Sequence, residues 1–396
     1  MQRRKAIIHI GPPKTGSTTI QKFLWKNRDT LKSRGILIPS VKSDEIFDGS
    51  VLHYHLYSIA CYDDLPQTSL KYDWHHFSTK NFAQFDVNLC KKHFDSFLSD
   101  QFPLTLLSFE CLCELNQGNI VRLKEYLDTH FQEYTIIAYL RRQPELFVSW
   151  YSQVIQVGVL PFDSDIDEFV SSYFHDKNRA FDNYQNMLQR WSNVFGKESI
   201  KPRIFDRKEM VKNDLLTDFS STLGIDMEGL VHVAPQQVGV NAEITEFLKL
   251  LHLHFLVTDN QSMLAKYDLC RKVFKLFSQS GNVGYHLSRS QAQAIIDEYR
   301  ESNNTVAREY FGRESLFNDD VSAYPEETLP HNLNLEKAIG ISAAIIEELC
   351  QENAKLRSEC DSFQNPKSKT LQHRLQRLYR KIKKIPGRIS RILKTS

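Results

Sequence analysis

AIIHIGPPKTGSTTIQKFL, residues 6–24, is the stretch on which the reading of the whole chain turns. Ala6–Ile10 is a short apolar run of the kind that forms a buried strand. It stops at a loop containing Gly11, Pro12, Pro13 and Gly16. Beyond the loop, Ile20, Phe23, Leu24 and Leu31 recur at helical spacing, which predicts a helix over Thr18–Lys32 with one apolar face. A strand, a Gly-containing turn and a helix N-terminus in succession form an anion cradle. Backbone N–H groups curl round a phosphate, and the positive end of the helix faces it.

The spacing of Gly11 and Gly16 is that of a nucleotide-binding P-loop, G-x-x-x-x-G-K-[ST]. Residue 17, where such a loop carries its lysine, is Ser, and the lysine stands inside the loop at position 14. Lys14 would meet the bridging region of a bound phosphate from within the loop. The hydroxyls of Thr15, Ser17, Thr18 and Thr19 and the N–H groups of residues 16–19 are available for a 5′-phosphate. No apolar run ending in a Walker B Asp follows a strand, so a metal-dependent NTPase is poorly supported. One alternative is a P-loop kinase for a small metabolite, distinguished by a lysine after Gly16 and by dependence on Mg²⁺; the other is a non-catalytic nucleotide-binding or interaction protein that keeps the loop and acts through its C-terminal helices.

The 396 residues suffice for one large core. With 41% hydrophobic and 25% charged residues the chain is of ordinary globular composition. No run of about eighteen apolar residues occurs. The apolar stretch behind MQRRK is shorter than a signal peptide needs, so it reads as a first strand. Seven cysteines without a CxxC pair suit a reducing, cytoplasmic setting. The net charge of +2 conceals an asymmetry. Eleven Lys/Arg and no Asp or Glu lie from Lys367 onward, leaving 39 basic against 48 acidic residues before that point. A body of that balance is not expected to bind nucleic acid.

Further apolar runs at Gly35–Pro39, Leu104–Phe109, Thr135–Leu140 and Ile200–Phe205 alternate with helical patterns. That alternation predicts an α/β domain over residues 1–325 with a central parallel sheet flanked by helices. Ligands in such sheets bind beyond the carboxyl ends of the strands, which directs attention to Gly11–Thr19, Ser108–Glu110 and Arg141–Ser149. Residues 240–320 read as mostly helical. After a break at YPEETLPHN, a helical extension is expected over residues 326–396. Leu335, Ile339, Ser342, Ile346, Leu349, Asn353, Leu356 and Cys360 alternate four and three apart, a short heptad seam. A second stripe, Leu371, Leu375, Leu378, Ile382 and Ile385, runs through the basic tail, residues 367–396.

HIGPPKTGSTTIQ resembles the 5′-phosphosulfate loop of the sulfotransferase superfamily, above all the PKTG[ST]T form of its bacterial branch. YLRRQPELFVSWYSQ supplies the second element of that family, a strand ending in Arg with Ser eight residues on, Arg141 and Ser149. Arg142 is the alternative, standing two before Pro144. Fainter echoes over roughly residues 5–320 include LQRWSNVFG, IKPRIFDR and SNNTVAREYFGRESLF.

The resemblance implies transfer of sulfate from 3′-phosphoadenosine 5′-phosphosulfate (PAPS) without a metal. Pro13, Lys14, Thr15, Gly16, Ser17, Thr18 and Thr19 would hold the 5′-phosphosulfate, and Arg141 and Ser149 the 3′-phosphate. Lys14 would stabilise the leaving 5′-phosphate. Glu110, directly behind an apolar strand, is the candidate base for the acceptor hydroxyl, and the family uses His or Glu at a comparable strand end. The bacterial members point to a carbohydrate or glycolipid acceptor.

His53 and His55, and His75 with His76, have no further ligands at zinc spacing, so packing or acceptor contact is expected of them rather than a metal. Trp74, Trp150 and Tyr151 either stack a ring or fill the core, with the core favoured for Trp150. Arg203 and Arg207 stand either at the nucleotide or on the surface. The basic tail is expected to make peripheral contact with the inner face of a membrane or to join the seam in a weak homodimer.

Overall fold

The computed structural model describes residues 3–39, 53–61, 87–98, 102–157, 166–175, 181–234, 242–258, short pieces of 269–277, 286–327 and 333–364. His75, His76, Trp74 and the basic tail 367–396 lie outside the described residues. The chain divides into two compact units, Met1–His331 and Asn332–Ser396.

The first unit is built on five parallel strands: β1 (Lys5–His9), β2 (Ile36–Leu37), β3 (Leu104–Ser108), β4 (Glu133–Leu140) and β5 (Ile200–Ile204), in the order β2-β3-β1-β4-β5. Residues 6–9 of the central strand are buried whichever way they point, as are residues 135–140 of β4. Strands covered on both faces explain the unbroken apolar runs of the sequence. The covering helices include α1 (Ser17–Ser33), α2 (Tyr54–Cys61), α3 (Val87–Phe97), α4 (Gln117–Leu127), α5 (Gln143–Val157), α6 (Ile166–His175), α7 (Tyr184–Phe195), α8 (Leu215–Thr222), α9 (Ala242–Thr258) and α10 (Arg289–Val306). This is the α/β architecture that the alternation predicts.

Helix α1 is fixed by its apolar stripe: Ile20, Phe23, Leu24 and Leu31 are wholly buried. They pack in one cluster with Ile7, Leu106, Ile137, Tyr139 and Phe219. Each such side chain contributes about 1.5–3 kcal/mol on burial, which fixes the face that α1 turns to the sheet. Register then sets the site. His9 pairs with Ser108 on one side and with Ile137 on the other, so β1 and β3 end level while β4 runs three residues further, to Leu140. The loop after β1, the turn after β3 and the start of α5 therefore meet at one edge of the sheet. The chain leaves β1 towards β2 and leaves β4 towards β5, which opens the crevice of a topological switch between β1 and β4.

Two short segments beside the sheet are helical. Glu110–Glu114, with Cys111 and Cys113, is a 3₁₀ turn that leads into α4. His53 and His55 stand at the head of α2. Both are buried against Phe94, at ring distances of 6.2 and 5.6 Å. His53 is further tied to the Pro39 carbonyl (2.9 Å) and to the Ser108 N–H (2.8 Å). These contacts are those of packing. The helix over 335–364 forms as one piece, α11 (Leu335–Gln364).

Candidate functional site

The loop after β1 is held in an unusual shape by its surroundings. Gly11 has φ +93°, and a Cβ there would lie 2.7 Å from the Glu110 carbonyl oxygen. Only glycine allows the β1 loop to approach the β3 turn so closely. The Gly11–Pro12 peptide is cis. Lys14 adopts φ +63°, a left-handed conformation that costs a non-glycine residue about 1–3 kcal/mol and that clusters at functional sites. At the far end Gly16 is left-handed too, and a Cβ there would meet Leu215 and Phe205. The β5–α8 segment thus closes over the loop.

The start of α1 carries no side-chain cap. Gly16 is its N-cap, and no acidic residue occupies its first turn. The hydroxyls of Thr15 and Ser17 donate inward to the Pro12 carbonyl at 2.6 and 3.3 Å, which braces the loop. Thr19 is buried and Thr18 is partly exposed. The Thr19 N–H already donates to the Gly16 carbonyl at 2.9 Å, which leaves the Ser17 and Thr18 N–H groups and the Thr18 hydroxyl as donors for an anion. Pro13 is buried in the loop's floor.

Charge gathers over this cradle. The Lys14 ammonium donates to Gln153 Oε1 of α5 at 3.0 Å. Burial lowers its pKa to about 8; the Glu110 carboxylate pulls it back up and the Arg141 guanidinium pushes it down. Burial raises the Glu110 carboxyl, and Lys14 opposes part of that rise. The two groups are thus electrostatically coupled across the gap between the β1 loop and the β3 turn. Arg141 crosses the β1/β4 crevice: Nη1 donates to the Lys14 carbonyl at 2.9 Å, and the guanidinium lies 5.6 Å from the centre of the Phe205 ring. Tyr184 clamps the Arg141 main chain through its N–H and its carbonyl.

Arg142 points elsewhere. Its guanidinium donates to the Asn318 and Asp320 carbonyls, to Glu145 and to Tyr324 Oη, tying the 318–324 segment to α5. Ser149 lies two turns into α5, partly exposed, one turn before Gln153 and on the same helical face. The structure therefore brings the Gly11–Thr19 loop, Glu110, Arg141 and the Ser149 face of α5 to one edge. Arg203, itself half-buried, is committed to an ion pair with the buried Asp218, whose carboxylate also accepts from Tyr139 Oη and the Val211 N–H. Trp150 packs its ring edge against Phe181, and Tyr151 is buried. Among the described residues no group of three or more His, Cys, Asp or Glu is placed to hold a metal ion.

Two residues of this site, Gln153 and Phe205, lie within the quoted stretches but hold no motif position of their own. Phe205 follows the last residue of β5 and so falls under the strand-end rule that singles out Glu110. Gln153 is betrayed only by being four residues after Ser149 on a helix.

No family model matches the chain. It is 24% identical over 239 residues to an uncharacterized protein of Archaeoglobus fulgidus, a match that takes in 59% of this chain and 62% of that protein. The chain thus matches less than two thirds of that relative's length. A solved structure of a sulfotransferase from Alicyclobacillus acidocaldarius overlaps 59% of this chain and 87% of its own, at 14% identity and a TM-score of 0.37. Among the described residues no helix is long and apolar enough to cross a membrane.

Proposed function

We propose that the protein is a PAPS-dependent sulfotransferase that moves the sulfuryl group to a hydroxyl of a carbohydrate or glycolipid. The observation that carries the reading is the placement of Lys14 and Arg141. The lysine stands within the anion loop, at its left-handed corner, and the arginine spans the β1/β4 crevice onto that same corner. A 5′-phosphosulfate in the loop would lie against the α1 N-terminus and the Lys14 ammonium. A 3′-phosphate would be met by Arg141, with Ser149 on the adjoining face of α5.

The chemistry follows from these positions. The acceptor oxygen attacks sulfur as the bond from sulfur to the bridging phosphate oxygen breaks, so negative charge grows on that oxygen. Lys14, a cation held at the loop, stabilises that charge. Glu110 takes the proton of the acceptor hydroxyl, and the burial that raises its carboxyl brings it closer to the affinity a general base needs near neutrality. Attacking and departing groups are both served by side chains, so this scheme assigns no role to a metal.

Calorimetric titration with 3′-phosphoadenosine 5′-phosphate and, separately, with ATP–Mg²⁺ tests the proposal. Micromolar, metal-independent binding of the bisphosphate, lost in Arg141→Ala, is expected. Preference for ATP–Mg²⁺ would overturn it.

A further inference from the structure

The second unit carries a feature that the proposed chemistry does not use. Helix α11 runs unbroken for 30 residues, about 45 Å, and includes every position of the heptad seam. Along it, Leu335, Ile339, Ile346 and Leu356 are 77%, 59%, 59% and 53% exposed. Ile341, which is buried, lies off the seam. Large aliphatic side chains at regular spacing along one helix face are costly in water and mark a surface made for a partner.

The residue types name that partner. With Ile339, Ile346, Asn353 and Cys360 at the a positions, Leu335, Ser342, Leu349 and Leu356 fall at d. Ile at a with Leu at d, and one Asn at a, is the pattern of a parallel two-stranded coiled coil, in which the buried Asn pairs with its own counterpart. The flanking charges agree: Glu352 at g would face Arg357 of the partner subunit at e. A seam that matches itself in register is complementary to a second copy of this chain. We propose that α11 pairs with α11 of a second copy as a parallel, in-register two-stranded coiled coil. Asn353 then faces Asn353 of the partner subunit, and Cys360 faces Cys360 of the partner subunit.

Sedimentation equilibrium of the full chain at micromolar concentration, under reducing conditions, is expected to give twice the 46.2 kDa chain mass. Ile346→Asp on the seam is expected to return it to a single chain, whereas Glu348→Lys, at an outward c position, leaves it dimeric. Orientation is read by diamide oxidation of the otherwise unchanged protein. Two thiols join in one disulfide, and the reagent takes up their two hydrogens. Both Cys350 and Cys360 are exposed, but only Cys360 lies at a position that meets itself. A linked dimer that forms in Cys350→Ser and is abolished in Cys360→Ser is expected. A single-chain mass for the wild type, a trimer or larger, or a dimer that Cys360 does not link would each overturn the proposal.

Discussion

Lys14 offers the sharpest test of the site, because its environment gives it a titration in an accessible range. Burial holds its pKa at about 8, so the free protein carries the ammonium in about nine-tenths of molecules at pH 7 and about one-tenth at pH 9. A bound phosphate dianion against that ammonium restores the ordinary lysine value of about 10.4 or higher. Binding at pH 9 must therefore recruit a proton, and affinity for 3′-phosphoadenosine 5′-phosphate should fall about tenfold between pH 7 and pH 9, about 1.4 kcal/mol. The phosphates, with a second pKa near about 6, are already ionised over most of this range.

Calorimetry in two buffers of different ionisation enthalpy should show uptake of about 0.9 proton per nucleotide at pH 9. Lys14→Arg, charged throughout, should bind with little pH dependence, and Lys14→Met should bind weakly at every pH. Gln153→Glu places a carboxylate oxygen where the amide oxygen now stands, 3.0 Å from the ammonium, and should move the fall in affinity to higher pH. Binding that is flat from pH 7 to 9 in the wild type, or that falls equally in Lys14→Arg, would refute the argument.

Other outcomes follow from the same geometry. Glu110→Gln should lower turnover by about 10²–10⁴-fold while leaving bisphosphate affinity within a few-fold, as measured by a sulfation assay beside calorimetry. Arg142→Ala should bind the bisphosphate as the wild type does yet melt at a lower temperature, since it loses the ties to Asn318, Asp320 and Tyr324 rather than any contact in the crevice. Gly11→Ala should cost about 1–3 kcal/mol in denaturant titration and abolish nucleotide binding, because its Cβ collides with the Glu110 carbonyl that positions the loop. Asp218→Ala leaves the buried Tyr139 hydroxyl without its acceptor and should destabilise the fold by about 1–3 kcal/mol. Burial raises the Asp218 carboxyl, but the bonds from Arg203, Val211 and Tyr139 outweigh it and hold the group below its ordinary value of 3.8. Its contribution is present above that value and lost as pH falls through the folded one. Buried His9 and His53, both lowered to about 4, act at higher pH: their contribution is full above 6.5 and declines towards 4. Acid unfolding followed by fluorescence should therefore begin below pH 6.5, and a stability flat down to pH 4 would count against it.

Much of this was legible in residue order. Parallel strands covered by helices are announced by unbroken apolar runs, because a strand buried on both faces has no solvent side to alternate with. The strand–loop–helix at the N-terminus is legible because a strand, a glycine turn and an amphipathic helix are all local, and the places of Glu110 and Arg141 because each sits just past a strand. What residue order could not decide was which of two adjacent arginines turns into the crevice. Both follow β4, and only the 318–324 segment, some 180 residues on, draws Arg142 away and leaves Arg141 to Lys14 and Phe205. Likewise Arg203 reads as a spare cation until Asp218, fifteen residues later, takes it. The histidine pair is open to packing or acceptor contact until α2 forms against Phe94. Gln153 gains its place beside Lys14 only when α5 docks on the loop. Backbone preferences and apolar periodicity act within a few residues and so are written in the sequence. A charged side chain takes its partner from whatever the fold brings within about 3 Å, and that is decided only when distant segments pack.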